Sequence, residues 1–278
     1  MMTNVLAAEF RKTFGRKVVW VITGAVTVFT MLYFVLATMT ARQAQVTGMD
    51  VGSMPPVSWP HGLVTGVVEL LSPGFVGGIA AIVLASSLWS SEMRWRTLHL
   101  WLGRGVSRAQ MLVAKAVILV LPLLLVGVAG TAAAGGTSAA LTLVAEGRIS
   151  LQQVDGPQLV LGILRSTLAL MPVAALTLLV GVVVPSGAGS LGAVLGYLLL
   201  GEQLLGAVLG LVGVGEVARY LPIAVASGLA AHGRSMVHDA AGPLLMMDAA
   251  TALVACMAWT AILLGVAIWS LRRQDLTG

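Results

Sequence analysis

Long apolar runs separated by short polar segments make up most of this chain. A helix needs roughly 20 apolar residues to cross the hydrocarbon core of a bilayer. The runs are continuous rather than alternating, which favours helices over the strands of a membrane β-barrel. The pattern predicts six membrane-spanning helices, over about residues 18–39, 67–90, 111–134, 158–183, 188–213 and 249–271. The first run has 22 residues, which favours a span over the roughly 7–15 apolar residues of a signal peptide.

Two further apolar pieces are too short to span a bilayer. "YLPIAVASGLAA" (220–231) lies between the fifth and sixth predicted helices, and "TSAALTLVA" (137–145) follows Gly135 and Gly136, where the third is predicted to end. We expect such pieces to lie at the membrane interface or to be re-entrant. An additional span at 137–145 is the alternative.

The composition agrees with an all-α polytopic membrane protein. Of the 278 residues, 58% are apolar and only 10% are charged, whereas soluble domains carry about 25% charged residues. The one cysteine, Cys256, excludes an intrachain disulfide and a cysteine-based metal site. The net charge of +5 is interpreted as topological, since basic residues of membrane proteins collect in cytoplasmic loops, and no nucleic-acid binding is predicted.

The basic residues predict the orientation. With six spans both termini share one side of the membrane, and that side carries eleven of the sixteen lysines and arginines. These are Arg11, Lys12, Arg16, Lys17, Arg94, Arg96, Arg104, Arg108, Lys115, Arg272 and Arg273. The positive-inside rule therefore places both termini in the cytoplasm. The chain is predicted to be a multi-pass protein of the cell membrane.

The segment before the first span is predicted to be an amphipathic helix. Leu6, Phe10 and Phe14 recur every four residues and share one helical face. Residues 1–17 are accordingly predicted to lie flat on the cytoplasmic leaflet, ahead of a six-helix domain at 18–278. The alternative is a basic tail that only fixes the orientation.

The loop after the second predicted span carries an unusual concentration of charge. Trp95, Leu98 and Leu102 share one helical face, while Glu92 and Arg96 have the spacing of an i, i+4 ion pair. Ser107 to Gln110 has the pattern of a capping box, which starts a new helix. The pattern predicts an elbow of two helices. Either a protein-contacting element or a flat interfacial helix with snorkelling arginines fits these residues.

The same loop, "SEMRWRTLHLWLGRGVSRAQMLVAK", resembles the cytoplasmic loop of the permease subunits of ABC-2 type transporters. The matching positions are Glu92, Thr97, Leu98, Leu100, Leu102, Ser107, Arg108 and Lys115. Arg96 and Gly105 depart from the pattern, since Gly and Pro are usual there. The amphipathic amino terminus and the layout of six helices extend the resemblance over the whole chain.

This resemblance implies a six-helix permease of an ATP-driven exporter, working as a dimer, with a homodimer expected, beside two copies of a separate ATP-binding subunit. ATP and Mg²⁺ would be held by that partner, and no cofactor by this chain. The elbow would be the coupling helix, formed by Glu92, Arg94, Trp95, Arg96, Thr97, Leu98, Trp101, Leu102, Ser107 and Arg108. In the family the second and fifth helices meet across the dimer, where Gly192, Gly196, Gly206 and Gly210 would allow close packing.

Arg165 and Glu202 are charged residues that fall well inside predicted spans. Arg165 and Glu202 lie at similar depths, about 10 Å from the outer surface at roughly 1.5 Å per residue, on helices joined by the short turn 185–190. A buried charge is costly unless paired, so an Arg165–Glu202 ion pair is predicted, either structural or in contact with substrate.

The chain has no G-x-x-x-x-G-K-[ST] sequence, so it is not predicted to hydrolyse ATP itself. No catalytic or metal-binding cluster is predicted. A hydrophobic or amphipathic cargo, such as a lipid, drug or antibiotic, fits the apolar helices. The alternative functions are a membrane enzyme or assembly factor without a motor, acting through Arg165 and Glu202, and a stand-alone channel.

Overall fold

The computed structural model describes residues 2–47, 57–94, 107–149, 153–184, 186–237 and 247–273. Within these ranges the chain is helical, apart from an isolated antiparallel bridge between Val154 and Val237. The α-helices are α1 (Met2–Phe14), α2 (Lys17–Thr47), α3 (His61–Val64), α4 (Val76–Arg94), α5 (Arg108–Glu146), α6 (Gly156–Ala169), α7 (Met171–Val183), α8 (Gly187–Gly196), α9 (Glu202–Leu211), α10 (Pro222–Ala231) and α11 (Ala249–Arg273). Two π-helical turns (Thr65–Leu70 and Tyr197–Gly201) and two 3₁₀ turns (Gly215–Tyr220 and His232–Met236) complete them.

Five helical segments of the described part are long and apolar enough to cross a membrane. They are Lys17–Ala44, Arg108–Glu146, Gly156–Val183, Gly187–Leu211 and Ala249–Arg273, which agree with the first, third, fourth, fifth and sixth predicted spans. The predicted second span is instead divided into His61–Leu70 and Val76–Ser90. The break contains Pro73, which lacks the N–H that a continuous helix requires.

The predicted end of the third span near Gly135 was wrong. Helix α5 continues through Gly136 to Glu146, so residues 137–145 are neither a separate interfacial piece nor an additional span. Gly135 serves packing, because a Cβ there would lie 2.7 Å from the Leu63 side chain. The helix ends where Gly147 adopts the left-handed conformation, with φ of 71°.

The fourth and fifth spans each contain an irregularity that the apolar pattern did not reveal. Leu170 separates α6 from α7, and Pro172 follows in the first turn of α7. In the fifth span, the Glu202 N–H donates to the carbonyl of Tyr197, five residues back, which closes a π-helical turn between α8 and α9. Such turns change the direction in which the following side chains point.

The core lies around α4, α5 and α7, whereas the fifth span is peripheral. Within the most apolar window of each span, 61% of the α5 residues and 72% of the α6–α7 residues are buried, but only 11% of the α8–α9 residues. Gly62 in α3 and Gly66 in the π-helical turn that follows allow this short segment to lie directly on α5. A Cβ at Gly66 would lie 2.3 Å from the Cβ of Ala134.

The short apolar segment 220–231 forms α10, which packs against α6, α7 and α11. Ala226, Leu229 and Ala230 are buried in this contact. The prediction that the segment is too short to span is confirmed, since α10 has ten residues. Its depth in the membrane stays a prediction.

Candidate functional site

Helix α1 confirms the helix predicted at the amino terminus, and Leu6 and Phe14 of the predicted apolar stripe are partly buried against the core. The fully buried face of α1 lies beside that stripe. Val5, Glu9 and Thr13, spaced by four residues, are buried against the bundle. Phe10 of the predicted stripe is 44% exposed and stacks on Phe14 at a ring distance of 4.8 Å. The face toward the protein therefore contains a carboxylate and a hydroxyl. The placement of α1 on a leaflet stays a prediction.

A buried ion pair joins α1 to α5. The Lys115 Nζ lies 3.1 Å from the Glu9 Oε2, and the two side chains are 0% and 1% exposed. The other Glu9 oxygen faces the Lys12 Nζ at 3.5 Å. Removing such charges from water costs several kcal/mol per ion, so the pair persists only in a closely fitting contact. Lys115 is the last residue of the loop motif, and its partner lies 106 positions away in sequence.

Two arginines at the same end of the bundle bind backbone carbonyls of other helices. Arg16, just after α1, donates from Nη1 to the Ser87 carbonyl of α4 at 2.7 Å. Arg108, at the start of α5, donates from Nη1 to the Leu271 carbonyl in the last turn of α11 at 2.7 Å. Carbonyls in a last helical turn lack helical partners, and a cation there is favourable. We call this end, formed by α1 and the adjoining ends of α4, α5 and α11, the basic end.

The predicted capping box is confirmed. The Ser107 Oγ accepts from the Gln110 N–H at 3.2 Å, and the Ser107 N–H donates to the Gln110 Oε1 at 3.0 Å. The capping box fixes Ser107 as the point at which the chain returns from the loop to the bundle. Glu92 and Arg94 belong to the last turn of α4. The remaining predicted coupling residues, Trp95, Arg96, Thr97, Leu98, Trp101 and Leu102, lie outside the described residues.

Glu202 binds the amino terminus of α10 rather than an arginine. Its carboxylate accepts from the N–H groups of Ile223 at 2.8 Å and Ala224 at 2.5 Å, and from the Tyr197 hydroxyl at 3.1 Å. The first N–H groups of a helix lack intrahelical partners, and the helix dipole favours a negative charge there. Glu202 therefore caps α10 from a neighbouring helix.

The predicted Arg165–Glu202 ion pair is not formed. Arg165 donates from Nη1 to the His232 carbonyl at 3.3 Å, at the other end of α10 from the Glu202 contact. The prediction rested on the depths of the two residues along their spans. The sequence did not indicate that α10 would place its free N–H groups beside the Glu202 carboxylate. The two charges hold the two ends of one short helix.

Sequence reasoning missed an ion pair at the opposite end of the bundle. Arg234 donates from Nη2 to the Glu69 Oε1 at 2.7 Å, with the side chains 21% and 43% exposed. In the π-helical turn that carries Glu69, Leu71 donates to Gly66, and the Val67 carbonyl accepts from the buried Ser166 Oγ at 3.1 Å. The only signal in the sequence was an acidic residue inside an apolar run.

Three of the four predicted packing glycines face outward. Gly192, Gly196 and Gly210 are exposed, and a Cβ at any of them would meet no atom within 4 Å. At Gly206 a Cβ would lie 3.7 Å from the Cβ of Ala218. The glycines therefore do not pack the described bundle together closely, and the face of α8–α9 is open to lipid or another chain.

Two apolar grooves run along α2. One of about 420 Å³ is lined by Leu32, Leu36 and Val57 among others, and one of about 550 Å³ by Ile22, Phe75 and Ile79 among others. Phe29 lines both. The lining is almost entirely apolar, which suits hydrocarbon rather than a polar solute.

The helical fold and its apolar spans define a multi-pass membrane protein with a basic end built around α1 and the start of α5. A family model described as "ABC-2 family transporter protein" matches residues 3–276. The chain belongs to this family, as a membrane component of an ABC-2 type transporter. No curated protein matches it in a sequence comparison.

Proposed function

We propose that this chain is the permease subunit of an ABC-2 type exporter, driven by ATP that a separate subunit hydrolyses. The family match over residues 3–276 carries this proposal, because the family implies an ATP-binding partner. The basic end faces the cytoplasm, and the loop between α4 and α5 contacts the partner. In support, the confirmed capping box at Ser107 starts α5 directly after that loop, and α5, with 39 residues, is the longest helix in the described part of the chain.

A hydrophobic or amphipathic cargo is the substrate class that we propose. The two apolar grooves along α2 support it, since together they offer a nearly continuous hydrocarbon-like surface beside the first span. The cargo would leave the cell through a path between two permease copies. The exposed glycine face of α8–α9 is the surface that we propose for the second copy.

A motor-less enzyme acting through Arg165 and Glu202 has little support. Both side chains bind backbone groups at separate ends of α10. The two side chains therefore do not form a reactive cluster together. Buried polar side chains that satisfy helix ends have a structural role.

The test is affinity purification of the tagged chain from its native membranes, followed by identification of co-purifying proteins. Wild type is compared with a triple variant carrying Glu92→Arg, Arg94→Glu and Arg96→Glu. A matched control carries three charge reversals at exposed positions of the opposite end, Arg42→Glu, Glu146→Arg and Arg148→Glu.

We expect an ATPase with a P-loop to co-purify with wild type and the control, but not with the loop variant. Retention by the loop variant would exclude these charges as the contact. If no form captures an ATPase although all reach the membrane intact, the proposed function fails.

A further inference from the structure

The amino-terminal helix touches both flanks of the loop proposed to meet the ATP-binding subunit. Glu9 holds α1 to α5, seven residues beyond the start of that helix at Arg108. Arg16 holds the other end of the same segment to the Ser87 carbonyl of α4, seven residues before that helix ends at Arg94. We call residues 2–16 the N-terminal strap. The strap links α4, which precedes the loop, with α5, which follows it.

The chemistry of the Glu9–Lys115 contact favours positioning over simple stabilisation. A fully buried ion pair is often replaceable by apolar residues without loss of stability, because desolvation offsets the attraction. What such a pair supplies is a defined register, since a shift of one helical turn would separate the two buried charges from each other. The flanking Val5 and Thr13 are buried on the same face, so the pair sits at the centre of the contact.

The strap also continues directly into the first span. Only Gly15 and Arg16 separate α1 from α2, and the Trp20 Nε1 donates to the Phe14 carbonyl across this corner at 3.1 Å. A displacement of α5 that is passed to α1 through Glu9 would therefore reach α2, which lines both apolar grooves.

We propose that Glu9 and Lys115 are a positioning pair that locks the N-terminal strap to α5, so that movement of the loop flanks is transmitted to the first span. This inference rests on the proposed function. The N-terminal strap and the start of α5 move as one unit when the ATP-binding subunits close. The pair does not contact cargo or nucleotide; it fixes the geometry through which the loop acts.

Spin labels test this in the full chain, in complex with the captured ATPase and in lipid nanodiscs. Cys256, the one native cysteine, is replaced by serine. Labels at the exposed positions Ala7 and Val113 report the distance between α1 and α5, with singly labelled samples to identify distances between chains. A separate label at exposed Gln43, near the outer end of α2, reports the response of the first span.

The decisive variant replaces both charges, Glu9→Met with Lys115→Met, and keeps the contact apolar. We expect its thermal stability to equal or exceed that of wild type. In wild type the Ala7–Val113 distance should be single and unchanged by vanadate trapping of the nucleotide, while the Gln43 spectrum changes. The double methionine variant should show several distances and lose the nucleotide-dependent change at Gln43, although it still binds the ATPase and hydrolyses ATP.

The matched control is Glu216→Gln, which removes a carboxylate from an exposed ion pair, 3.0 Å from Arg219. It should behave as wild type in every measurement. An unchanged Gln43 response in the double methionine variant would overturn the positioning role and leave the proposed function intact. Absence of a captured ATPase from wild type would overturn the proposed function and, with it, the transmission that we infer.

Discussion

Removal of the Glu202 carboxylate should destabilise the protein much more than removal of the Arg165 charge. Glu202→Ala leaves two N–H groups of α10, those of Ile223 and Ala224, without their acceptor. An unsatisfied buried donor costs about 1–3 kcal/mol, and loss of a helix cap typically costs about 1 kcal/mol. Two such donors give an expected cost of about 2–6 kcal/mol. Arg165→Met removes one long hydrogen bond to a carbonyl and should cost about 1 kcal/mol.

A charge swap distinguishes this cap from an ion pair. Arg165→Glu combined with Glu202→Arg would restore a simple pair, but it places a cation at the positive end of the α10 dipole. The structure therefore predicts no rescue, and a double variant at least as unstable as Glu202→Ala. The assay is the thermal unfolding midpoint of purified protein in nanodiscs, with folded yield as a second measure. Restored stability in the swapped variant would show that the side chains pair in the membrane, and would refute the capping argument.

Three further predictions concern other parts of the fold. Gly66→Leu should sharply reduce folded yield, because even its Cβ would overlap Ala134; Gly24→Leu, in open space on α2, is the control and should not. Gly196→Leu should leave the unfolding midpoint of the single chain unchanged but abolish dimers measured by mass photometry; retained dimers would exclude the α8–α9 face. Hydrogen bonds from the Thr251 side chain and then from its backbone N–H lower the pKa of Asp248, which caps α11. The stabilisation from that carboxylate is present above its unfolded pKa of about 3.9 and should disappear as the pH falls through the lower folded pKa. Below about pH 4, Asp248→Asn should therefore flatten the dependence of the unfolding midpoint on pH, and an unchanged slope would contradict this.

The sequence predicted those features that depend on local pattern. The apolar runs located five long helices, and the Ser107–Gln110 spacing located the start of α5, because capping depends on residues three apart. The same pattern failed at Gly135 and Gly136, which resemble a helix end. Both glycines are nevertheless helical. Close packing against Leu63 favours a residue without a side chain at Gly135, whereas a Cβ at Gly136 would meet no atom within 4 Å.

The partners of the charged residues could not be predicted from local pattern. Lys115 was identified through the loop motif, but its partner Glu9 lies in another helix, 106 positions away in sequence, and no local pattern connects the two. For Arg165 and Glu202, equal depth in the membrane suggested attraction between opposite charges. That reasoning omitted backbone groups, which become available partners wherever a helix begins or ends inside the bundle.

Broken helices explain why the polar residues of this bundle lie where they do. Each helix end within an apolar layer exposes N–H or carbonyl groups that lipid cannot satisfy. Glu202 satisfies the start of α10, and Ser166 binds a carbonyl that the π-helical turn leaves free. The Trp89 indole donates to the Gly181 carbonyl at 2.7 Å, two residues before α7 ends. An intramembrane polar residue in such a protein should therefore be compared first with the nearest helix end, and only then with the nearest opposite charge. The Arg234–Glu69 and Glu9–Lys115 pairs instead join charge to charge between separate elements. Of these, Glu9–Lys115 is fully buried, which is the arrangement expected of a contact that must keep its register while the bundle moves.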